Sequence, residues 1–152
     1  MSLIFRRMIP ADFPACADEL MAAFKADPWN EAWTHEQAFT RIDEIMSARV
    51  SRGIVCMDGG KCVSMLCGRI MTYLDKKLFY VDEFSVHPDF QRHGIGSQML
   101  AFLREELQKE AQPISHMSLI TKRGFPSVTF YEKNGFVELK NELTMAGYVN
   151  RP

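Results

Sequence analysis

The sequence predicts an α+β domain in which about seven strands and four helices follow the order β-α-α-β-β-β-α-β-α-β-β. Two observations lead there. Apolar residues recur at helical spacing in some stretches and in β-rich runs in others, and Gly, Pro and Asp clusters separate the two kinds. No linker, repeat or low-complexity tract interrupts the order, so residues 1–152 are read as one domain, long enough to bury a sizeable core.

Residues 3 to 8 alternate loosely and predict a short strand. Pro10 and Asp12 then introduce a helix whose apolar face is Phe13, Cys16, Ala17, Leu20, Met21 and Phe24. Pro28 and two tryptophans break the pattern. A second helix follows, with Thr34 as N-cap, an inward face of Phe39, Ile42, Ile45 or Met46 and Val50, and Gly53 as its stop. Three β-rich runs, broken at Asp58-Gly59-Gly60 and Asp75-Lys76-Lys77, predict an antiparallel meander. The strongest helix carries Ile95, Met99, Leu103 and Leu107 at steps of four, with Leu100 beside them, and ends near Pro113. "SHMSLIT" reads as a strand and "PSVTFYEKNG" as a short helix stopped by Gly135; "FVELKNELTMAGYV" reads as two final strands.

Composition excludes several functions. Hydrophobic residues at 47% and charged residues at 24% are those of a globular protein. A formal net charge of -1, with no Lys/Arg run longer than a pair, argues against a nucleic-acid footprint. No apolar run is long enough to span a bilayer and no leader pattern opens the chain, so neither membrane nor export is expected. Cys16, Cys56, Cys62 and Cys67 lack metal or redox spacing and are read as reduced core residues of a cytoplasmic protein. The four histidines show no ligand spacing, so no metal is expected.

The chemistry concentrates in "VDEFSVHPDFQRHGIGSQML", where a strand pattern runs into Gly94-Ile95-Gly96 and a helix. A helix start exposes unpaired N–H groups and partial positive charge, and glycine lets an anion approach the backbone, so phosphate is the expected ligand. The dinucleotide fingerprint fails because Met99 stands where its third glycine belongs. The P-loop fails because Ser97 and Gln98 follow Gly96 where Lys-Ser/Thr is required. What does match is Q/R-x-x-G-x-G/A, on Gln91, Gly94 and Gly96, after the strand pattern "FSVHPDF".

With these residues the chain resembles the GNAT superfamily of N-acetyltransferases, and "FYEKNGF" at 130–136 is similar to that family's C-terminal tyrosine motif. The resemblance covers nearly the whole chain. It implies the acyl-CoA N-acyltransferase fold, a mixed and mostly antiparallel sheet flanked by four helices, with acetyl-CoA as co-substrate. The pyrophosphate would lie on Gln91, Arg92, His93, Gly94, Ile95, Gly96 and Ser97. The pantetheine arm would pair like an added strand with Phe84, Ser85 and Val86, and backbone N–H groups near Val86 would stabilise the oxyanion. Tyr131 matches the thiolate-protonating tyrosine. The family often places an acid where Asp82 stands; Glu83 is its neighbour, and strand alternation sends the two to opposite faces unless a bulge intervenes. Either serves as base or, alternatively, is a structural carboxylate paired with Arg or Lys. Gly124 stands where many relatives carry an asparagine that helps hold CoA, so that contact is lost or replaced; Lys122 and Arg123 are candidates to reach the phosphates, with solvated surface residues as the favoured alternative.

Acceptor specificity in such proteins lies in the first two helices, their loop and the last strand pair. Trp29 and Trp33, with Glu31 between them, suit a cationic amine; as the alternative they only seal the core. Residues 1–52 hold eight acidic and six basic side chains, a small lean towards a cationic acceptor. The expected activity is therefore acetyl transfer from acetyl-CoA to a primary amine of a small molecule or peptide through a ternary complex, with no nucleic-acid or membrane partner. A non-catalytic acyl-CoA-binding sensor or scaffold is the alternative. The family resemblance also allows a homodimer.

Overall fold

The computed structural model of the chain describes residues 2–150. These fall into two units, one reaching to Ile120 and the other starting at Thr121.

The first unit is built on five strands, β1 (Leu3–Arg7), β2 (Ser51–Asp58), β3 (Lys61–Tyr73), β4 (Lys76–Val86) and β5 (Ile114–Ser118), lying side by side in that order. β1 to β4 pair antiparallel because short turns join β2 to β3 and β3 to β4. β4 and β5 pair in parallel, the crossover between them being helix α3 (Ile95–Gln108). The second turn falls at Leu74-Asp75, one residue earlier than the sequence suggests, so Lys76 and Lys77 belong to β4.

Helices α1 (Phe13–Lys25) and α2 (His35–Met46) pack on one face of the sheet. Thr34 caps α2 as predicted, its hydroxyl accepting from Gln37 N–H at 3.1 Å while the Gln37 side chain accepts from Thr34 N–H at 3.0 Å. Ahead of α1, Asp12 takes a bidentate bond from Arg6, both contacts at 2.8 Å, and fixes the entry of the chain. The core on this face joins Phe13, Cys16, Ala17 and Leu20 of α1 to Ala38 and Ile42 of α2 and to Val55, Met65 and Cys67 of the sheet. Alternation puts Ile54 and Leu66 on the other side, where they are also buried. There α3 covers the sheet with the predicted Ile95, Met99, Leu100, Leu103 and Leu107, all buried, and Phe102 meets Phe5 of β1.

Three further expectations change. On α2, Phe39 is exposed while Ala38 and Ile42 are buried, and Val50 lies beyond the end of the helix. Gly53 does not stop α2, because it lies inside β2; the helix ends at Met46, where the Ser51 hydroxyl donates to the Ile45 carbonyl and accepts from Ala48 N–H. The sheet has five strands rather than seven, since none of its ladders includes residues 136–149. Alternating apolar residues supply the capacity for a strand, but a strand exists only where a neighbour accepts its ladder. Val137, Leu143 and Met145 are accordingly exposed, at 80%, 82% and 82%.

The second unit contains helix α4 (Pro126–Lys133), opened by Pro126 and followed by Gly135 at φ +89°, as predicted. Thr121 and Ser127 share a hydroxyl bond of 2.7 Å ahead of it. None of the helices among the described residues is long and apolar enough to cross a membrane.

Candidate functional site

β4 changes character half-way along. Its pairing with β3 steps from Gly68↔Val81 to Cys67↔Glu83, so Asp82 is the extra residue of a β-bulge. Its ladder with β5 ends at Tyr80↔Ser118, whereas its ladder with β3 runs on to Val86. The stretch from Val81 to Val86, which includes Phe84, Ser85 and Val86, therefore lies beyond the last β4–β5 rung. A slot between the two strands begins there.

The glycine corner follows directly. His87 N–H donates to Val63 O at 2.8 Å, holding the end of β4 to β3, and Gln91 Nε2 donates to Val86 O at 3.0 Å, tying the loop back to the strand. A single 3-10 turn spans Pro88–Phe90, and the His93 ring closes on the Phe90 carbonyl at 3.1 Å. Arg92 and Gly94 both take left-handed backbone conformations, at φ +65° and +77°. The first intrahelical bond of α3 is Gln98 N–H to Gly94 O, which leaves the N–H groups of Ile95, Gly96 and Ser97 without acceptors inside the helix. The side chains of Arg92, His93 and Ser97 are exposed around this N-terminus.

The bulge also decides the carboxylates. Asp82 takes two bonds from Arg69, at 2.8 and 3.1 Å, and Glu83 is ion-paired to Arg41 of α2. Both carboxylates act electrostatically on Arg41, so the bulge overrides the alternation that would separate them. Glu83 is the more enclosed, with its side chain 12% exposed against 22% for Asp82. Burial pushes the Glu83 carboxyl above the usual range, and Arg41 opposes that rise.

From Arg41 the network continues to the loop between α1 and α2. Its guanidinium stands over the Trp33 ring, 5.9 Å from the centroid, and Trp33 Nε1 donates to Glu31 Oε1 at 3.0 Å. Trp29 belongs elsewhere, its ring packed edge-on against Phe24 at 5.3 Å. Of the three acceptor candidates, the structure joins Trp33 and Glu31 to the carboxylates and places Trp29 in loop packing.

Within the second unit, Tyr131 sits on α4 between the rings of Phe130 and Phe136, at 5.3 and 5.4 Å. Arg123 is ion-paired to Glu138 at 2.7 Å, with both side chains exposed. Among the described residues no group of three or more His, Cys, Asp or Glu is placed to hold a metal ion.

Comparison with known proteins gives the family. The model of the acetyltransferase (GNAT) family matches residues 14–136. The chain belongs to this family. Solved structures share the GNAT fold at low identity. A possible acetyltransferase from Clostridium difficile 630 superposes with a TM-score of 0.80 at 12% identity, covering 98% of this chain and 99% of that one. A GNAT family acetyltransferase from Staphylococcus aureus subsp. aureus USA300_TCH1516 gives 0.71 at 19%, covering 96% and 99%. AAC(6')-Iy, in complex with the bisubstrate analog CoA-S-monomethyl-acetylneamine, gives 0.74 at 14%, covering 97% and 99%.

Three residues of this GNAT chain escape a reading of the sequence. Arg41 and Arg69 belong to amphipathic or alternating segments, where an arginine ordinarily marks the solvent side. Glu19 sits among the apolar positions of α1 and is buried there, between the predicted core residues Cys16 and Leu20. A carboxylate at a core position of the helical repeat is the one signal that could have found it.

Proposed function

We propose that this GNAT chain transfers an acetyl group from acetyl-CoA to a primary amine. The observation that carries the reading is the joint geometry of β4 and α3: a strand released from its parallel neighbour at Tyr80, then a left-handed loop that presents helix N–H groups. The first suits an amide-bearing arm that adds to a sheet edge, and the second suits a pyrophosphate. Phe84, Ser85 and Val86 would take the arm, and the loop and helix start from Gln91 to Ser97 the phosphates. The family match crosses residue 120, which supports reading the chain as a single domain.

Glu83 is the better base. A carboxyl held above its ordinary range is a stronger acceptor, and Arg41 keeps it aimed into the site. In the reaction the amine nitrogen bonds to the thioester carbonyl carbon, the carbon–sulfur bond breaks, and the ammonium proton passes to Glu83 directly or through water. Backbone N–H groups near Val86 would stabilise the oxyanion. Tyr131 is assigned as the proton donor to the leaving thiolate on its sequence motif alone. Trp33 and Glu31 would meet the acceptor amine of a small molecule or a peptide.

A panel of amines tested for acetyl-CoA-dependent thiol release checks this activity, with calorimetry for the co-substrate. Turnover that collapses in Tyr131→Phe supports it. The absence of any heat with acetyl-CoA would overturn it. A second reading, a non-catalytic acyl-CoA-binding module, draws support from the pairing of both carboxylates with arginines, which leaves neither base unengaged. Tight CoA binding with silence across the panel selects that reading.

A further inference from the structure

The buried carboxyl of Glu19 has no part in the chemistry above, yet it touches the strand on which that chemistry depends. It is 1% exposed in the middle of α1. Ser85 Oγ lies 2.8 Å from both its oxygens, and Met65 N–H donates to Oε1 at 3.1 Å. Met65 and Ser85 are opposite one another on β3 and β4, so one carboxyl ties α1 to a whole rung of the sheet. Ser64 completes the arrangement by donating its hydroxyl to the Ser85 carbonyl at 2.7 Å. This rung lies two residues past Glu83, in the part of β4 that has left the β5 ladder. Support that β5 gives the first half of the strand must there come from below.

We propose that Glu19 is a positioning residue whose carboxyl fixes the Ser85 rung of β4 to α1 and so holds Phe84–Val86 ready for the acyl-CoA arm. The proposal rests on the co-substrate reading given above. The bonds reaching Glu19 come from a hydroxyl and a peptide N–H, which favour the anion, and the burial of the carboxyl opposes them. The titratable and charged groups around it are Cys16 and Asp18 on α1, Lys61 and Cys62 on β3, and Glu83 and His87 along β4 and just beyond it, Glu83 being held by Arg41 of α2. Burial pushes the Glu19 carboxyl up to about 8, and the nearby Glu83 adds to the rise. A cleft of about 190 Å³, lined by Asp18, Lys61, Cys62 and His87 as well as Glu19, gives it a route for proton exchange with solvent.

The test uses the full chain with Glu19→Gln, Glu19→Leu and Ser85→Ala, measured by acetyl-CoA calorimetry and by amide hydrogen exchange of the unliganded protein. Loss of the tie orphans a buried donor, so Glu19→Leu and Ser85→Ala should weaken acetyl-CoA binding about tenfold and speed exchange at residues 84–86 by a similar factor. Glu19→Gln keeps both bonds and should match the native chain at neutral pH. Between neutrality and about pH 9 the native chain should lose protection relative to Glu19→Gln, as the acid ionises. Should Glu19→Leu fail to fold, Ser85→Ala carries the comparison. Native exchange rates in Ser85→Ala, or a Glu19→Gln variant as impaired as Glu19→Leu, overturn the proposal. A native chain that gives no heat with acetyl-CoA overturns the co-substrate reading instead, and exchange in the unliganded chain still decides the tie.

Discussion

Arg41 and Glu83 are joined in an ion pair between α2 and the bulge of β4, across 42 residues of sequence. The pair aims the carboxyl and at the same time restrains its basicity, since the guanidinium favours the charged form that burial disfavours. As the proposed base, Glu83 must be deprotonated to act, so the rate should rise with pH through its raised pKa.

Glu83→Gln should therefore lower kcat by about a hundredfold or more, the usual range for losing a general base. Asp82→Asn should cost less than about tenfold, and less than about 1 kcal/mol of stability, because its pair with Arg69 is partly exposed. Removing the guanidinium in Arg41→Ala should move the rising limb of the pH–rate profile to higher pH. Steady-state rates across pH for the three variants check all of this; equal losses in Asp82→Asn and Glu83→Gln would remove Glu83 from its assigned role.

The two tryptophans should separate cleanly. Trp33 holds Glu31 and lies under Arg41, so Trp33→Ala should raise the acceptor KM by about three- to tenfold while leaving acetyl-CoA affinity unchanged. Trp29→Ala should lower the melting temperature through lost packing on Phe24 and leave the acceptor KM within about twofold. KM values for the best amine, with melting curves, make the comparison.

Two glycines differ in why they are needed. A Cβ at Gly68, the rung beside the bulge, would lie 2.0 Å from the Tyr80 carbonyl oxygen and 2.9 Å from Phe79 Cζ. Gly68→Ala should then destabilise by about 2 kcal/mol or more, as overpacking against backbone does. A Cβ at Gly94 would meet only Gln98 Nε2, at 3.9 Å, but φ is +77°, so Gly94→Ala should cost about 1 kcal/mol and mainly weaken acetyl-CoA binding. Urea unfolding and calorimetry distinguish a loss of stability from a loss of affinity.

Stability should depend on pH through Glu19. Its carboxyl rises from 4.5 to about 8 on folding, so its contribution is complete below the unfolded value and is lost as pH climbs through about 8. Over that window the native chain should weaken relative to Glu19→Gln, by at least about 1 kcal/mol at about pH 9. Urea midpoints at several pH values measure it, and parallel curves for the two proteins would show that folding does not raise the carboxyl's pKa.

Much of this protein is legible along the chain because it depends on near neighbours. The Thr34 cap, the face of α3 from Ile95 to Leu107 and the Gln91–Gly96 corner are each set by residues a few positions apart, where helical spacing and backbone freedom act directly. The same locality places Gly135 after α4 and makes a meander of β2, β3 and β4. The final strand pair shows the limit: alternation in 136–149 states which residues could share a face, but a ladder needs a second strand. Periodicity likewise puts Asp82 and Glu83 on opposite sides, and one extra residue in β4 reverses that. The sequence alone determined the family, the order of the helices and the glycine corner before α3. Only tertiary structure decided that Arg41 and Arg69 hold the carboxylates, that Trp33 rather than Trp29 joins them, and that Glu19 reaches Ser85. The Arg41–Glu83 and Glu19–Ser85 contacts span 42 and 66 positions, the nearer ones still join separate segments, and their strength comes from burial and charge, which exist only once those segments have closed on one another.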